Sequence, residues 1–334
     1  MLNSELKNVL QQTPLCEYLD PNELDILLTY SKIVSFNTGD IILQQGKKSD
    51  GLYLIINGIA VVTAKILGEG ATTLVTLHHG NFVGVMSTIG KWPNATSIIA
   101  SSEVRCLQIT EIYFEMLSLF FPETKYKLTK ALNKELFHRI INIHNKITNF
   151  MLKADMATHS LFGVVIKSLL KPETISFENA EIDINLLHKT QPFNLFNEEE
   201  YHILLHNSSV IAAPKQCTLI QEKEKNSPVF LIIRGAVMSS IITDSKYAKL
   251  SVLGPMSLFC NLPSLDGAPT SLINYTTCEK AILLKITETE LKLIEDTSKS
   301  LWFKLSELIC NSYALILRAA EKLDIRLNSE LYNR

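Results

Sequence analysis

Of the eight histidines, one pair has a spacing that metal chemistry can use. His202 and His206 stand four apart, which on a helix puts both rings on one face, but no glutamate lies between them in the arrangement of a helical zinc hydrolase. His78 and His79 are consecutive, so on a strand they point to opposite faces and cannot chelate one ion together. The two histidines and a carboxylate that a metal-dependent β-roll enzyme needs on adjacent strands are therefore missing. The six cysteines, Cys16, Cys106, Cys217, Cys260, Cys278 and Cys310, show no Cys-x-x-Cys spacing, which argues against a zinc site or a disulfide framework and for reduced thiols. Neither a nucleophile elbow nor a P-loop occurs. The expectation is a protein that is not an enzyme and carries no metal or cofactor.

The bulk properties narrow the partners. A net charge of −2 and a pI near 6.5 supply no global field for a polyanion or an acidic membrane, so nucleic acid is not an expected partner. The strongest apolar run, Leu52 to Val62, is interrupted at Asn57-Gly58, which excludes a membrane-spanning helix there. The N-terminus lacks the basic and apolar regions of a secretory signal, and together with the thiols this predicts a cytoplasmic protein. With 334 residues the chain has room for two ordinary domains.

The elements come in two copies. Residues 19–60 align without a gap on residues 196–237, a slide of 177 positions: Ile26-Leu27-Leu28 falls on Ile203-Leu204-Leu205, and Leu54-Ile55-Ile56-x-Gly58 on Leu231-Ile232-Ile233-x-Gly235. Beyond Gly58 the expected offset slips to 174 at Gly80 and Gly254, then returns to 176 at Pro93 and Pro269. Each copy opens with a short amphipathic helix whose first turn is acidic. Short apolar runs such as Ile41-Ile42-Leu43 and Leu52 to Ile56 follow, punctuated by turns such as Asn57-Gly58, which predicts a β-roll. Helices close each copy. Leu128, Leu132, Leu136, Ile140, Ile143, Ile147 and Phe150 form one apolar stripe, and Leu305, Ile309, Ile316, Ala320, Leu323 and Leu327 another; either could be the seam of a homodimer. Between the copies a helical segment (His159 to Leu170) and a polar stretch read as linker. The expected organisation is a first domain over 1–150, a helical and polar linker over 151–190, and a second, more degenerate domain over 191–334.

In the first copy Gly39-Asp40, Gln45-Gly46, Asp50-Gly51-Leu-Tyr53, Asn57-Gly58 and Gly80-Asn-Phe82-Val-Gly84 together resemble the cyclic nucleotide-binding domain family, over about 14–150. That family includes catabolite activator protein and the regulatory subunit of protein kinase A. The second copy resembles it more weakly over about 192–330, with Gln216, Lys223 and Pro228 where the first has Gly39, Gly46 and Gly51. The resemblance implies a mainly β fold with flanking helices: two double-stranded β-helix (jelly-roll) domains, each with N-terminal and C-terminal helices.

It also implies a place for a ligand. Members hold a cyclic phosphate in a cassette that opens with Phe-Gly-Glu and carries an arginine ten residues after the glycine. Helix amides and the guanidinium neutralise the phosphate, and the glutamate accepts from the ribose hydroxyl. Here Gly84 is followed by Val85 and Met86, and ten residues after Gly84 stands Asn94, followed by Ala95, Thr96 and Ser97. The cassette length survives while both charged contacts are gone. Removing one partner of a buried charge pair costs about 2–5 kcal/mol, a loss of roughly 30-fold to several thousandfold in affinity. In the second copy the expected equivalents are Leu258 and Phe259 for Gly-Glu, with Thr270 and Ser271 after Pro269.

A DNA-binding member would add about 70 residues of helix-turn-helix after the second roll, and Arg334 falls in or just past the last expected helix. What the residues predict is a regulatory or interaction protein whose output passes to a protein partner. The alternative is a sensor that binds a cyclic mono- or dinucleotide noncanonically in the first copy, where Asn94, Thr96, Ser97 and helix amides remain as hydrogen-bonding groups.

Overall fold

The computed structural model describes residues 6–8, 10, 13–66, 70–153, 162–164, 170–222, 224, 228–243, 246–260 and 272–332. The chain forms two compact units, residues 1–139 with 324–334, and residues 140–323.

The first unit is entered through α1 (Pro21–Tyr30). Asp20 caps it by accepting from the Asn22 and Glu23 amides, and the Glu23 carboxylate returns to the Asp20 amide 2.8 Å away, a capping box. Its apolar positions Leu24, Leu27 and Leu28 are buried. Eight strands follow: β1 (Lys32–Phe36), β2 (Ile41–Leu43), β3 (Gly51–Asn57), β4 (Ala60–Ile66), β5 (Gly70–Leu77), β6 (Phe82–Val83), β7 (Ser97–Ala100) and β8 (Val104–Thr110). They make two antiparallel four-stranded sheets, β1-β8-β3-β6 and β2-β7-β4-β5. Ile42, Tyr53, Ile55, Val62, Val83, Ile98 and Cys106 fill the space between them. The β3–β4 corner needs Gly58: its φ is +95°, and a Cβ there would lie 2.0 Å from the Glu103 carbonyl oxygen. Helix α2 (Val85–Gly90) sits between β6 and β7, and α3 (Glu111–Phe120) and α4 (Pro122–Lys153) follow β8. The break between α3 and α4 falls before Pro122, which cannot donate the next helical hydrogen bond.

The second unit repeats this order. After β9 (Phe162–Val164), β10 (Glu173–Ile175) and α5 (Ile184–His188) come α6 (Glu198–His206) and strands β11 (Ser209–Ala213), β12 (Thr218–Ile220), β13 (Val229–Arg234), β14 (Val237–Thr243), β15 (Lys246–Leu253), β16 (Leu258–Cys260), β17 (Asn274–Thr277) and β18 (Ala281–Ile286). Helices α7 (Glu288–Thr297) and α8 (Lys299–Tyr332) close it. The sheets are β10-β11-β18-β13-β16 and β12-β17-β14-β15-β9. Each therefore gains an edge strand from the stretch read as linker. Phe162–Val164, expected to be helical, pairs with β15 instead; an aromatic, a glycine and a β-branched residue favour an extended edge over a helix. The remainder of the expected His159–Leu170 helix lies outside the described residues, apart from Leu170.

The expected stripes are helical. Leu128, Leu132, Leu136, Ile140 and Ile147 on α4 are buried and Ile143 and Phe150 half-buried, while all six named positions of the C-terminal stripe on α8 are buried.

Pairing registers correct the alignment of the copies beyond Gly58. Leu54 faces Phe82, and its equivalent Leu231 faces Leu258; Tyr53 faces Val83, and Phe230 faces Phe259. The Gly80 amide donates to Ile55, and the Met256 amide to the equivalent Ile232. Gly80 therefore corresponds to Met256, not Gly254, and Leu258-Phe259 correspond to Phe82-Val83, not to Gly84-Val85. The misalignment came from matching glycine to glycine. The backbone kept its left-handed turn with a side chain on it, φ +65° at Met256 and +63° at Gln216, the equivalent of Gly39. A left-handed residue with a Cβ costs roughly 1–2 kcal/mol, which the surrounding roll sustains.

Candidate functional site

The cassette of the first roll runs from Gly84 to Ser97. Gly84 caps α2 in the left-handed region at φ +85° and allows close approach: a Cβ there would meet the Gly51 carbonyl oxygen at 2.7 Å and the Ser49 hydroxyl at 3.1 Å. Val85, in the position of the family's glutamate, is 1% exposed. It is apolar and lies in the core, so burial suits it and would penalise a carboxylate. Met86, Asn94, Ala95 and Ser97 are half-buried and Thr96 is buried.

Several polar groups of this segment bond the protein itself, while the buried Thr88 hydroxyl has no hydrogen-bond partner among the described residues. The Ser87 hydroxyl accepts from the Ser49 amide at 2.8 Å, and the Ser97 hydroxyl from the Gln45 amide at 2.9 Å. Asn94 exchanges backbone hydrogen bonds with the β2–β3 loop, donating to Lys47 at 2.8 Å and accepting from Gly46 at 2.9 Å, and its carboxamide donates to Gln44 at 3.4 Å. Asn94 thus laces the cassette to the loop opposite. The cation of the segment, Lys91, turns away to α3, where its ammonium binds Glu111 at 2.5 Å and Glu115 at 2.8 Å. Those contacts hold the Glu115 carboxyl below the usual carboxylate range. The segment carries neither a carboxylate at Val85 nor a guanidinium at Asn94, the positions where the resemblance puts them.

Beside the cassette lies a polar cluster that the sequence reading missed. The Tyr53 hydroxyl donates to Asp50, and Gln108 reaches both Asp50 and the Tyr53 oxygen at 3.1 Å. Burial, and then Asp50, push the Tyr53 phenol well up, so it acts as a neutral donor. Asp50 and Tyr53 are near neighbours in the chain, but Gln108 comes from β8, 55 residues beyond Tyr53, so no local spacing announces the cluster.

In the second roll, Leu258 and Phe259 belong to strand β16, and Thr270 and Ser271 lie outside the described residues. Phe259 is 1% exposed and sandwiched between Phe230 and Tyr275, with ring centroids 5.2 Å and 4.6 Å away. Register equates Phe230, Phe259 and Tyr275 with Tyr53, Val83 and Ile98. One contact is retained across the copies in altered form: Asn274, equivalent to Ser97, accepts from the Glu222 amide as Ser97 does from Gln45.

A second feature escaped sequence reading although its signal was present at the 177-residue offset. Glu23 binds Lys127 on α4 at 2.7 Å, and Glu200 binds Lys304 on α8 at 2.6 Å. In each unit the capping-box carboxylate that starts the leading helix also holds the trailing one. Burial pushes the Glu200 carboxyl up, but Lys304, Ser300 and the Asn197 amide outweigh it and leave it below the usual range.

The histidines singled out for spacing do other work: the His79 ring contacts the Ile56 carbonyl oxygen at 2.7 Å, and His202 and His206 lie on the exposed side of α6. No helix among the described residues is long and apolar enough to cross a membrane.

Residues 33–118 match the family model of the cyclic nucleotide-binding domain. The chain is 25% identical over 111 residues to a cAMP-dependent protein kinase regulatory subunit of Dictyostelium discoideum, covering 32% of this chain and 34% of that protein. It is 27% identical over 124 residues to the cyclic AMP receptor protein of Thermus thermophilus, covering 37% and 57%. The chain spans about a third or less of the length of the first curated relatives it matches. Among solved structures, a cyclic nucleotide-binding domain from Methylobacillus flagellatus aligns at a TM-score of 0.41 with 20% identity, over 46% of this chain and 85% of that one.

Proposed function

We propose, for a chain whose residues 33–118 belong to the cyclic nucleotide-binding domain family, a non-enzymatic regulatory role in which the usual cyclic-phosphate contacts are lost and the output passes to a protein partner. One observation carries this reading: in the cassette, Val85 is buried where the family places its glutamate, and Asn94 is laced to the β2–β3 loop where the family places its arginine. The matched relatives named as kinase regulatory subunits support a regulatory role. Lys91 provides a route from cassette to output, because it joins the end of α2 to α3. The degenerate second cassette serves as structure.

The sensor reading has its own support in the retained cassette backbone, with Gly84 left-handed and Asn94 ten residues on. Thermal unfolding with cyclic mono- and dinucleotides separates the two. The wild-type protein is expected to melt at an unchanged temperature in micromolar cAMP or cGMP; a rise of several degrees refutes the proposal. Stabilisation by a cyclic dinucleotide alone would favour the sensor. The double variant Val85→Glu with Asn94→Arg tests the contacts directly, and is expected to gain cAMP-dependent stabilisation; a folded but unresponsive double variant would locate the block elsewhere in the pocket.

A further inference from the structure

The trailing helices of the two units start alike and then differ at one position of the clamp. Helices α3 and α7 end on matched caps, Phe121 at φ −140° and Ser298 at φ −142°, whose amides donate to Leu117 and Ile294 at 2.9 Å and 2.8 Å. Counted from those caps, Lys304 corresponds to Lys127 and Ser300 to Glu123, the 177-residue offset again. In the first unit the lysine serves two carboxylates, Glu23 at 2.7 Å and Glu123 at 3.7 Å. In the second, Lys304 binds one oxygen of Glu200 at 2.6 Å, and the Ser300 hydroxyl donates to the other at 2.5 Å. A hydroxyl thus stands where the first copy carries a permanent negative charge.

The surroundings of Ser300 suit an acquired anion. It is exposed and follows directly on the break between α7 and α8. It lies in the first turn of a 34-residue helix, where negative charge is favoured. Lys304 stands four residues on, on the same helix face, and the Glu123–Lys127 contact shows that this geometry accepts an anion at the position.

We infer that Ser300 is a phosphorylation site and that its phosphate competes with Glu200 for Lys304. The Ser300 oxygen forms a bond to the γ-phosphorus of a nucleoside triphosphate held by a protein kinase. The bond from that phosphorus to the β–γ bridging oxygen breaks, the nucleoside diphosphate leaves, and the hydroxyl proton passes to the kinase's base. Phosphoserine carries about −1.5 to −2 charges and no hydroxyl proton. Glu200, its side chain 5% exposed, then loses a donor and gains a like-charged neighbour, while Lys304 gains a second anion one turn back. All three changes loosen α6 from α8 within the second unit. The element switched is the partner of Lys304. The inference is independent of how the cassette of the first roll is read.

Two experiments test it. The protein is isolated from its own cells with phosphatases inhibited, and peptide mapping by mass spectrometry is expected to find phosphate on Ser300; its absence there overturns the inference. The full chain is also made with phosphoserine at position 300 by amber suppression. Its melting temperature is expected to fall by about 2–4 °C or more, with faster amide exchange in α6 and unchanged exchange in α1, and a phosphatase is expected to restore both. Ser300→Ala removes the donor without adding charge and should shift the melting temperature less, with Ser300→Glu, the residue of the first copy, in between. Equal shifts for phosphoserine and Ser300→Ala, or a melting temperature unchanged or raised by the phosphate, overturn the switch. Should the phosphorylated chain fail to fold, Ser300→Glu carries the test: it should be less stable than Ser300→Ala by a margin that salt reduces, and the absence of that margin overturns the switch.

Discussion

Where the first roll has Tyr53, Val83 and Ile98, the second has Phe230, Phe259 and Tyr275, stacked and sealed. Where α3 shows Ile112, Leu119 and Phe120 to solvent, α7 shows threonine and aspartate, although both expose an apolar residue at the matched positions Met116 and Leu293. The same backbone thus carries opposite investments: the second roll places its apolar bulk inside, while the first keeps a polar cluster and a hydrogen-bonded cassette and carries apolar surface outside. An interior filled with aromatic rings contributes packing and leaves little to respond with. The asymmetry is the ground on which the proposal gives the second roll a stabilising role.

The largest effect that could break this comparison is in the aromatic stack. Phe259→Ala should cost about 3–5 kcal/mol, whereas Val83→Ala at the equivalent site should cost about 1–2 kcal/mol. Urea unfolding of the two variants measures the gap, and equal losses would mean that the second interior is no more committed to packing than the first.

The two capping-box clamps sharpen it next. Glu200 has three partners and a side chain 5% exposed, so Glu200→Gln should cost about 2–3 kcal/mol. Glu23, 10% exposed and lacking an equivalent of the Ser300 contact, should cost about 1 kcal/mol on the same change. The pH dependence has a definite sign. The Glu200 carboxyl is depressed in the folded state, so its stabilisation is present above the unfolded value, about 4.3, and is lost as pH falls through the folded one. The gap between wild type and Glu200→Gln should therefore be constant near neutrality and close in acid; a gap that widens in acid would contradict the clamp.

The smallest effect concerns the turns. Met256→Gly should be neutral or stabilise by up to about 1 kcal/mol, because relief of the left-handed strain exceeds the entropy that glycine adds. Gly80→Met should destabilise by about 1–2 kcal/mol. If both changes destabilise equally, the second roll has adapted its packing around the Met256 side chain.

The duplication, the helices and the strand-bearing runs were legible because they rest on periodicity and on corners such as Gly58 and Gly235, where a Cβ would strike the facing strand. The turn at Gly84 in the first copy was legible because close approach requires glycine there. In the second copy the guide failed: Met256 carries the turn that glycine carries at Gly80, so sequence identity pointed two residues away from structural equivalence. The edge strands Phe162–Val164 and Glu173–Ile175 were hidden because three-residue strands have no period to read. The Asp50, Tyr53 and Gln108 cluster was hidden because it forms only when strands pair.

The clamps have one more consequence. Each ties the helix that enters a roll to the helix that leaves it, Glu23 to Lys127 and Glu200 to Lys304, so the two ends of each roll emerge side by side. A module whose entrance and exit are neighbours can be copied in tandem, inserted into a loop or cut and rejoined at a new terminus without rethreading its sheets. In this chain the ion pair is thus also what makes each roll a portable unit.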